Sequence, residues 1–203
     1  MAQSLVRLSG LAGILAGPAW FLGYAGFTRL LMPTIGQPGG HVVLGLAGLL
    51  SLLALVGLFA LDATRVAPLG KGGHALAVVG AAVFSAGNLI EGIWLAEFGV
   101  RLFALGIMAL MIGVLLLGFG VLRARALPPW SVWPLIVGWA TFLPMANVPA
   151  VFGLAPGATS SYGTGYVVWA LSSAGLLSAG WVTLGYALWS ERYASAQQLV
   201  RVR

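Results

Sequence analysis

Glu91 is the residue of this chain best placed to do chemistry, because it is ionisable and falls well inside a long apolar run. A carboxyl group at membrane depth is costly and is ordinarily kept for a ligand, an ion or a proton. Asn88 precedes it by three residues and Gly87 by four, so on a helix all three share one face. Tyr24, Glu91 and Asn147 each fall about 16 residues into their own apolar run, or about 24 Å along a helix axis. On three helices running in one direction, these groups would line one pocket in the outer third of a bundle. Asn147 also stands between Pro144 and Pro149. Each proline removes a backbone donor and crowds the carbonyl four residues back, so a broken helix beside Glu91 is expected, as in many midplane binding sites. A purely structural arrangement is the alternative. In it, Arg101 reaches back to Glu91 or pairs with Glu97, and Asn147 makes a packing hydrogen bond between helices.

Other chemistries find little support. Cysteine is absent, which removes disulfides, thiolate metal sites and cysteine nucleophiles together. The two histidines, His41 and His74, are expected at helix starts on opposite sides of a membrane, so no metal site and no cofactor are expected. Ser178, within Leu-Leu-Ser-Ala-Gly, would need a base in hydrogen-bond reach to act as a nucleophile, and none is expected there. Gly70-Lys71-Gly72-Gly73 lacks the strand and the spacing of a phosphate-binding loop. Trp20, Trp139 and Trp181 are explained by packing. The chain therefore reads as a non-enzyme.

The elements that must position Glu91 are transmembrane helices. Of the 203 residues 60% are hydrophobic and only 7% charged, with a mean hydropathy of +1.01. A soluble domain carries about 25% charged residues, and about 20 apolar residues suffice to cross the hydrocarbon core. Six helices are expected, over residues 8–31, 42–61, 74–95, 102–122, 132–154 and 166–189, in one all-α polytopic domain spanning residues 1–203. Proline and glycine mark the connectors: Pro33 to Gly40, Pro68 to Gly73, Pro128-Pro129, and Pro156-Gly157. The first run is too long for the apolar core of a signal peptide and lacks a small-x-small cleavage site, so it reads as a retained helix.

Basic residues orient the bundle. An inward N-terminus places Arg7, Arg65, Lys71, Arg123, Arg125, Arg192, Arg201 and Arg203 on the cytoplasmic side and only Arg29 and Arg101 outside. That asymmetry predicts both termini in the cytoplasm. The net charge of +6 thus serves topology; without a basic cluster interleaved with aromatics, nucleic acid is not an expected partner. Gly73, Gly80 and Gly87 recur every seven residues on the third helix, and Gly99, Gly106, Gly113 and Gly120 on the fourth. Small residues in one stripe let helix backbones approach in lipid, either between these two helices or against another protomer. The second, fourth and sixth helices also end alike, from Gly57, Gly118 and Gly185 to a terminal arginine. This fits either three duplicated hairpins or the ordinary way a helix leaves the membrane inward.

The stretch Gly118-Phe-Gly-Val-Leu-Arg-Ala-Arg-Ala-Leu-Pro-Pro-Trp130, with Val132 to Gly138 after it, resembles a pattern in six-helix bacterial inner-membrane proteins. In those proteins the fourth helix ends in Leu-Arg-Ala-Arg and the fifth follows Leu-Pro-x-Trp. The resemblance implies a multi-pass protein of the bacterial inner membrane; the family has no established activity or site residues to carry over. The functional expectation is a non-catalytic membrane protein. It would pack with partner subunits or a second copy of itself, or hold a small apolar ligand around Tyr24, Asn88, Glu91 and Asn147. A small transporter, proton-coupled through Glu91, is the alternative.

Overall fold

The computed structural model describes residues 2–26, 32–62, 68–94, 97–151 and 164–190. These form six helices: α1 (Ala2–Ala25), α2 (Met32–Asp62), α3 (Pro68–Trp94), α4 (Glu97–Ala124), α5 (Pro129–Val151) and α6 (Thr164–Trp189). Among the described residues there is no strand, and five segments are long and apolar enough to cross a membrane: Ser4–Ala25, Pro38–Phe59, Pro68–Trp94, Phe98–Ala124 and Ala170–Trp189. The chain is thus an all-helical, apolar bundle, in keeping with an integral membrane protein. Large apolar side chains stand exposed on the outward faces, among them Leu15, Leu53, Val79, Ile93 and Leu105. In water such surface would drive association, whereas in a bilayer it meets acyl chains.

Several helices begin earlier than hydropathy predicts, and for one reason. Pro68 and Pro129 are first residues of α3 and α5. Proline is favoured in the first turn of a helix, where its missing N–H would be unpaired in any case. Prolines that read as connectors are therefore helix starts. In α2 the only non-helical residue is Gly36, at φ 67° and ψ 170°, and the spanning part runs from Pro38 rather than Val42. That shift moves His41 into the helix. At the other extreme, α5 stays helical through Pro144 and Pro149, so the break expected there is not a break in secondary structure.

Each helix packs on its neighbours in sequence, and α6 packs back on α1, closing a six-membered ring. Contacts at the glycines show that adjacent helices are antiparallel. A Cβ placed on Gly73 would lie 2.6 Å from the Leu117 backbone nitrogen, and one on Gly87 would lie 2.8 Å from the Gly99 carbonyl oxygen. Between α1 and α6, a Cβ on Gly13 would lie 2.9 Å from Gly185 Cα; between α5 and α6, one on Gly138 would lie 2.6 Å from Leu177 Cα. The three helix-terminal glycines do not play one role. Gly118 meets Ile136 of α5 and Gly185 meets α1, the next helix round the ring, whereas Gly57 meets Ser9 of the preceding helix α1.

α4 ends in a Schellman motif. The Arg125 N–H donates to the Leu122 carbonyl at 3.1 Å and the Ala126 N–H to Val121 at 3.1 Å, with Arg125 at φ 52° where glycine is usual. Leu127, just beyond, is buried and joins the core.

Candidate functional site

The middle of the ring is filled by aromatic rings from the three helices that run in the same direction. Trp20 of α1 stacks on Phe84 of α3 at 4.9 Å between centroids and meets Trp139 of α5 edge-on at 5.3 Å. All three are essentially unexposed. The Trp20 indole N–H donates to Ser51 Oγ of α2 at 2.9 Å, which ties the cluster to a fourth helix. Such rings supply large buried area with preferred edge and face contacts, and together they form a floor across the bundle.

On the Glu91 side of that floor lies a polar layer. Asn88, one turn beyond Phe84, is fully buried and donates from Nδ2 to the Phe84 carbonyl at 2.9 Å. Its Oδ1 therefore faces His41 of α2, 3.0 Å from Nδ1. An amide oxygen only accepts, so the imidazole donates through Nδ1. His41 is itself buried, and its ring lies 5.6 Å from that of Phe103 on α4. Side-chain hydrogen bonds between membrane helices contribute from a fraction of a kcal/mol to about 2 kcal/mol, and this one fastens α2 to α3.

Glu91 stands seven residues beyond Phe84, nearly two helical turns, and so lies above it on almost the same face of α3. α4 closes tightly behind it: a Cβ on Gly99 would lie 2.7 Å from the Glu91 backbone nitrogen. The residue is half-buried, yet its Oε2 is sealed from solvent and has no hydrogen-bond partner. No ion pair among the described residues involves Glu91, and Arg101 is exposed. An unpaired polar atom away from water costs roughly 1–3 kcal/mol, so Oε2 is the most conspicuous chemical feature of this end of the bundle.

Tyr24 is brought to the same level. Gly23 of α1 packs on Leu44 of α2 and Gly92 of α3 packs on Val42, so Tyr24 and Glu91 flank α2 at one height. Tyr24 stacks on Trp20 at 5.8 Å and meets Phe142 of α5 edge-on at 4.5 Å. Phe142 is fully buried and also contacts Trp139 at 5.9 Å. The side chains of Glu97 and Asn147 lie outside the described residues. Tyr24, Asn88 and Glu91 thus occupy one end of the bundle, with Asn88 a turn below the other two and committed to His41 and Phe84.

Two residues of this end escape a sequence reading. His41 looks interfacial because Pro38-Gly39-Gly40 resembles a loop, although proline at a helix start carries the opposite signal. Phe142 is one aromatic among many, and only the Tyr24 contact distinguishes it. Two further indoles are buried with unpaired N–H groups, Trp139 and Trp181. Among the described residues no three His, Asp or Glu side chains gather to hold a metal ion. Compared with known proteins, the chain matches no family model, no curated protein and no solved structure.

Proposed function

We propose that this is a non-catalytic, six-span protein of the bacterial inner membrane, with both termini cytoplasmic, that holds a small, largely apolar ligand in its outer half around Glu91. The observation that carries the reading is the sealed Oε2 of Glu91, which has no hydrogen-bond partner among the described residues. An acceptor with no partner inside apolar walls is what an apolar ligand with one polar group would complete. Orientation follows from charge. Arg7, Lys71, Arg123 and Arg125 belong to the end away from Glu91, and the excess of basic residues marks the cytoplasmic side.

The stacked floor of Trp20, Phe84 and Trp139 favours holding over passage. A proton-coupled transporter using Glu91 would have to part three rings and the Trp20–Ser51 hydrogen bond in every cycle. The outward apolar faces belong to lipid in this reading; a partner subunit or second copy seated there would show as added protein mass in the detergent-solubilised complex.

Photolabelling of the membrane-embedded protein with adamantyl diazirine, a small apolar probe, tests the proposal. The expected result is saturable labelling of peptides carrying Tyr24, Glu91 and Phe142. Labelling confined to outward positions such as Leu15, Val79 and Leu105, in proportion to exposure and without saturation, would refute a ligand site. A measurable turnover abolished by Glu91→Gln in an intact protein would refute the non-catalytic reading.

A further inference from the structure

We infer that the outward face of α4, α5 and α6, at the end away from Glu91, holds an anionic phospholipid, its phosphate on Arg123 and Arg125 and its chains against Trp130 and Tyr186. The inference uses none of the residues around Glu91 and rests only on the bundle's being embedded in a bilayer. Three exposed stripes meet there. On α4, Ile112, Phe119 and Arg123 are exposed at spacings of seven and four, which is one face of a helix. On α5, Trp130, Trp133 and Val137 are exposed at spacings of three and four, and on α6 Leu176, Ala179 and Tyr186 at three and seven. Each stripe is apolar toward the middle of its helix and changes chemistry near the end: to a guanidinium on α4, and to rings carrying a polar atom on α5 and α6.

Contacts between the helices bring those ends to one height. Gly118 of α4 packs between Val132 and Ile136 of α5: a Cβ there would lie 3.5 Å from Val132 Cγ1 and 2.8 Å from Ile136 Cγ1. Counting from that contact along antiparallel helices sets Arg123 level with Pro129 and Trp130. Thr183 of α6 donates to the Ser131 carbonyl at 3.4 Å, and the Tyr186 ring lies 6.3 Å from that of Trp130. Trp189 continues the row, 6.4 Å from Tyr186. Indole and phenol rings settle where acyl chains meet headgroups, so Arg123 stands at headgroup depth.

Arg125 adds a second guanidinium two residues on, and its backbone sets it apart. It occupies a left-handed position, φ 52°, where glycine is usual. The Arg125 and Ala126 N–H groups, bonded back to Leu122 and Val121, and the buried Leu127 hold this turn in place. A strained residue kept by its surroundings is a place to look for function, and a side chain launched from a fixed turn has less freedom to lose on binding. Both arginines are exposed. Their guanidinium groups stay charged at physiological pH, and the planar fork matches two phosphate oxygens at once. A phosphate anchored on two arginines, with chains running down the stripes past Phe119, Trp133 and Ala179, has the form of one phospholipid. A zwitterionic lipid would bring its own ammonium toward the arginines, and a soluble anion would leave the rings uncovered.

The test is native mass spectrometry of the full chain in a neutral detergent, titrated with phosphatidylglycerol or with phosphatidylcholine of identical chains. One phosphatidylglycerol is expected to bind saturably, about 10-fold or more tighter than phosphatidylcholine. Arg123→Gln and Arg125→Gln should each weaken it by about 5-fold, and together by about 30-fold. Arg125→Gly should weaken it as Arg125→Gln does while relieving the backbone, so that lost binding is told apart from a folding defect. Trp130→Ala with Tyr186→Ala should weaken both lipids alike. Lys71→Gln removes one charge from α3 at the same end and should cost less than either arginine variant. The inference is overturned if phosphatidylcholine binds as tightly, or if the double arginine variant binds phosphatidylglycerol like the parent protein. It is overturned too if Lys71→Gln costs as much as Arg123→Gln, which would mark a diffuse field rather than a site. Glycerophosphoglycerol, the headgroup without its chains, raising Tm as well as the lipid does would reassign the arginines to a soluble anion and refute the lipid. A spectrum of dimers free of lipid would give this face to a second copy and refute it equally.

Discussion

Replacing Gly80 with alanine places a methyl group against the α4 backbone. Its Cβ would stand 2.7 Å from both Leu110 Cα and the Ala109 carbonyl carbon. Carbon atoms pack at about 3.5–4.0 Å, so the two helices must separate locally by about 1 Å. Backbone atoms have no rotamer through which to yield. Overpacking of this kind costs about 1–3 kcal/mol, and a gap of about 1 Å forfeits up to half the dispersion well at neighbouring contacts. Gly72, eight residues earlier on the same helix, is the internal control: a Cβ there meets nothing within 4 Å. Gly72→Ala should therefore gain helix propensity, about 0.5–1 kcal/mol, without steric cost. The comparison is made by unfolding the purified proteins in mixed detergent micelles and following helical circular dichroism. Gly80→Ala should fall below the parent by about 1–2 kcal/mol after the propensity gain, while Gly72→Ala rises above it. Equal stability of the two variants would mean that α3 and α4 are not in backbone contact, and the placement of Glu91 beside Gly99 would fail with it.

Two further outcomes follow from single hydrogen-bonding groups. Ser51→Ala strands the buried indole N–H of Trp20, which now donates to Ser51 at 2.9 Å; a loss of about 1–3 kcal/mol is expected, readable by the same unfolding assay, and no loss would mean the indole has another acceptor. Arg125→Gly relieves a left-handed backbone at φ 52° that costs a side chain roughly 1–2 kcal/mol. The variant should unfold at a higher temperature than the parent, and a lower midpoint would show that the Arg125 side chain contributes more than its backbone strain costs.

How much of this was legible in the amino-acid order differs from feature to feature. Six helices and their approximate places are readable, because hydrocarbon thickness sets a length that can be counted directly; among the described residues five of the six carry a segment long and apolar enough to cross a membrane. Boundaries are less so, since a helix extends past the apolar window until its caps: α3 starts at Pro68, six residues before the apolar estimate at His74. A common depth for Tyr24, Glu91 and Asn147 is an expectation from counting rise per residue along helices that run the same way; Gly23 packs on Leu44 and Gly92 on Val42, while the Asn147 side chain lies outside the described residues. Partners across the ring were not readable. That His41 meets Asn88, or Phe142 meets Tyr24, depends on helix rotation and ring closure, which single-helix periodicity does not encode. Nor did the two prolines of α5 reveal that the helix continues through them, because neighbouring groups can re-satisfy the freed carbonyls within a bundle.

The pairing of α6 with α1 has a consequence for biogenesis. Gly10, Gly13 and Gly17 on α1 pack against Gly185, Trp181 and Ser178 on α6, elements separated by most of the polypeptide. Chains emerge from the ribosome N-terminal end first, so the glycine groove of α1 is presented to lipid while four other helices are inserted, and it is filled only when α6 arrives. A nascent chain arrested after α5 would leave that groove without the helix that fills it.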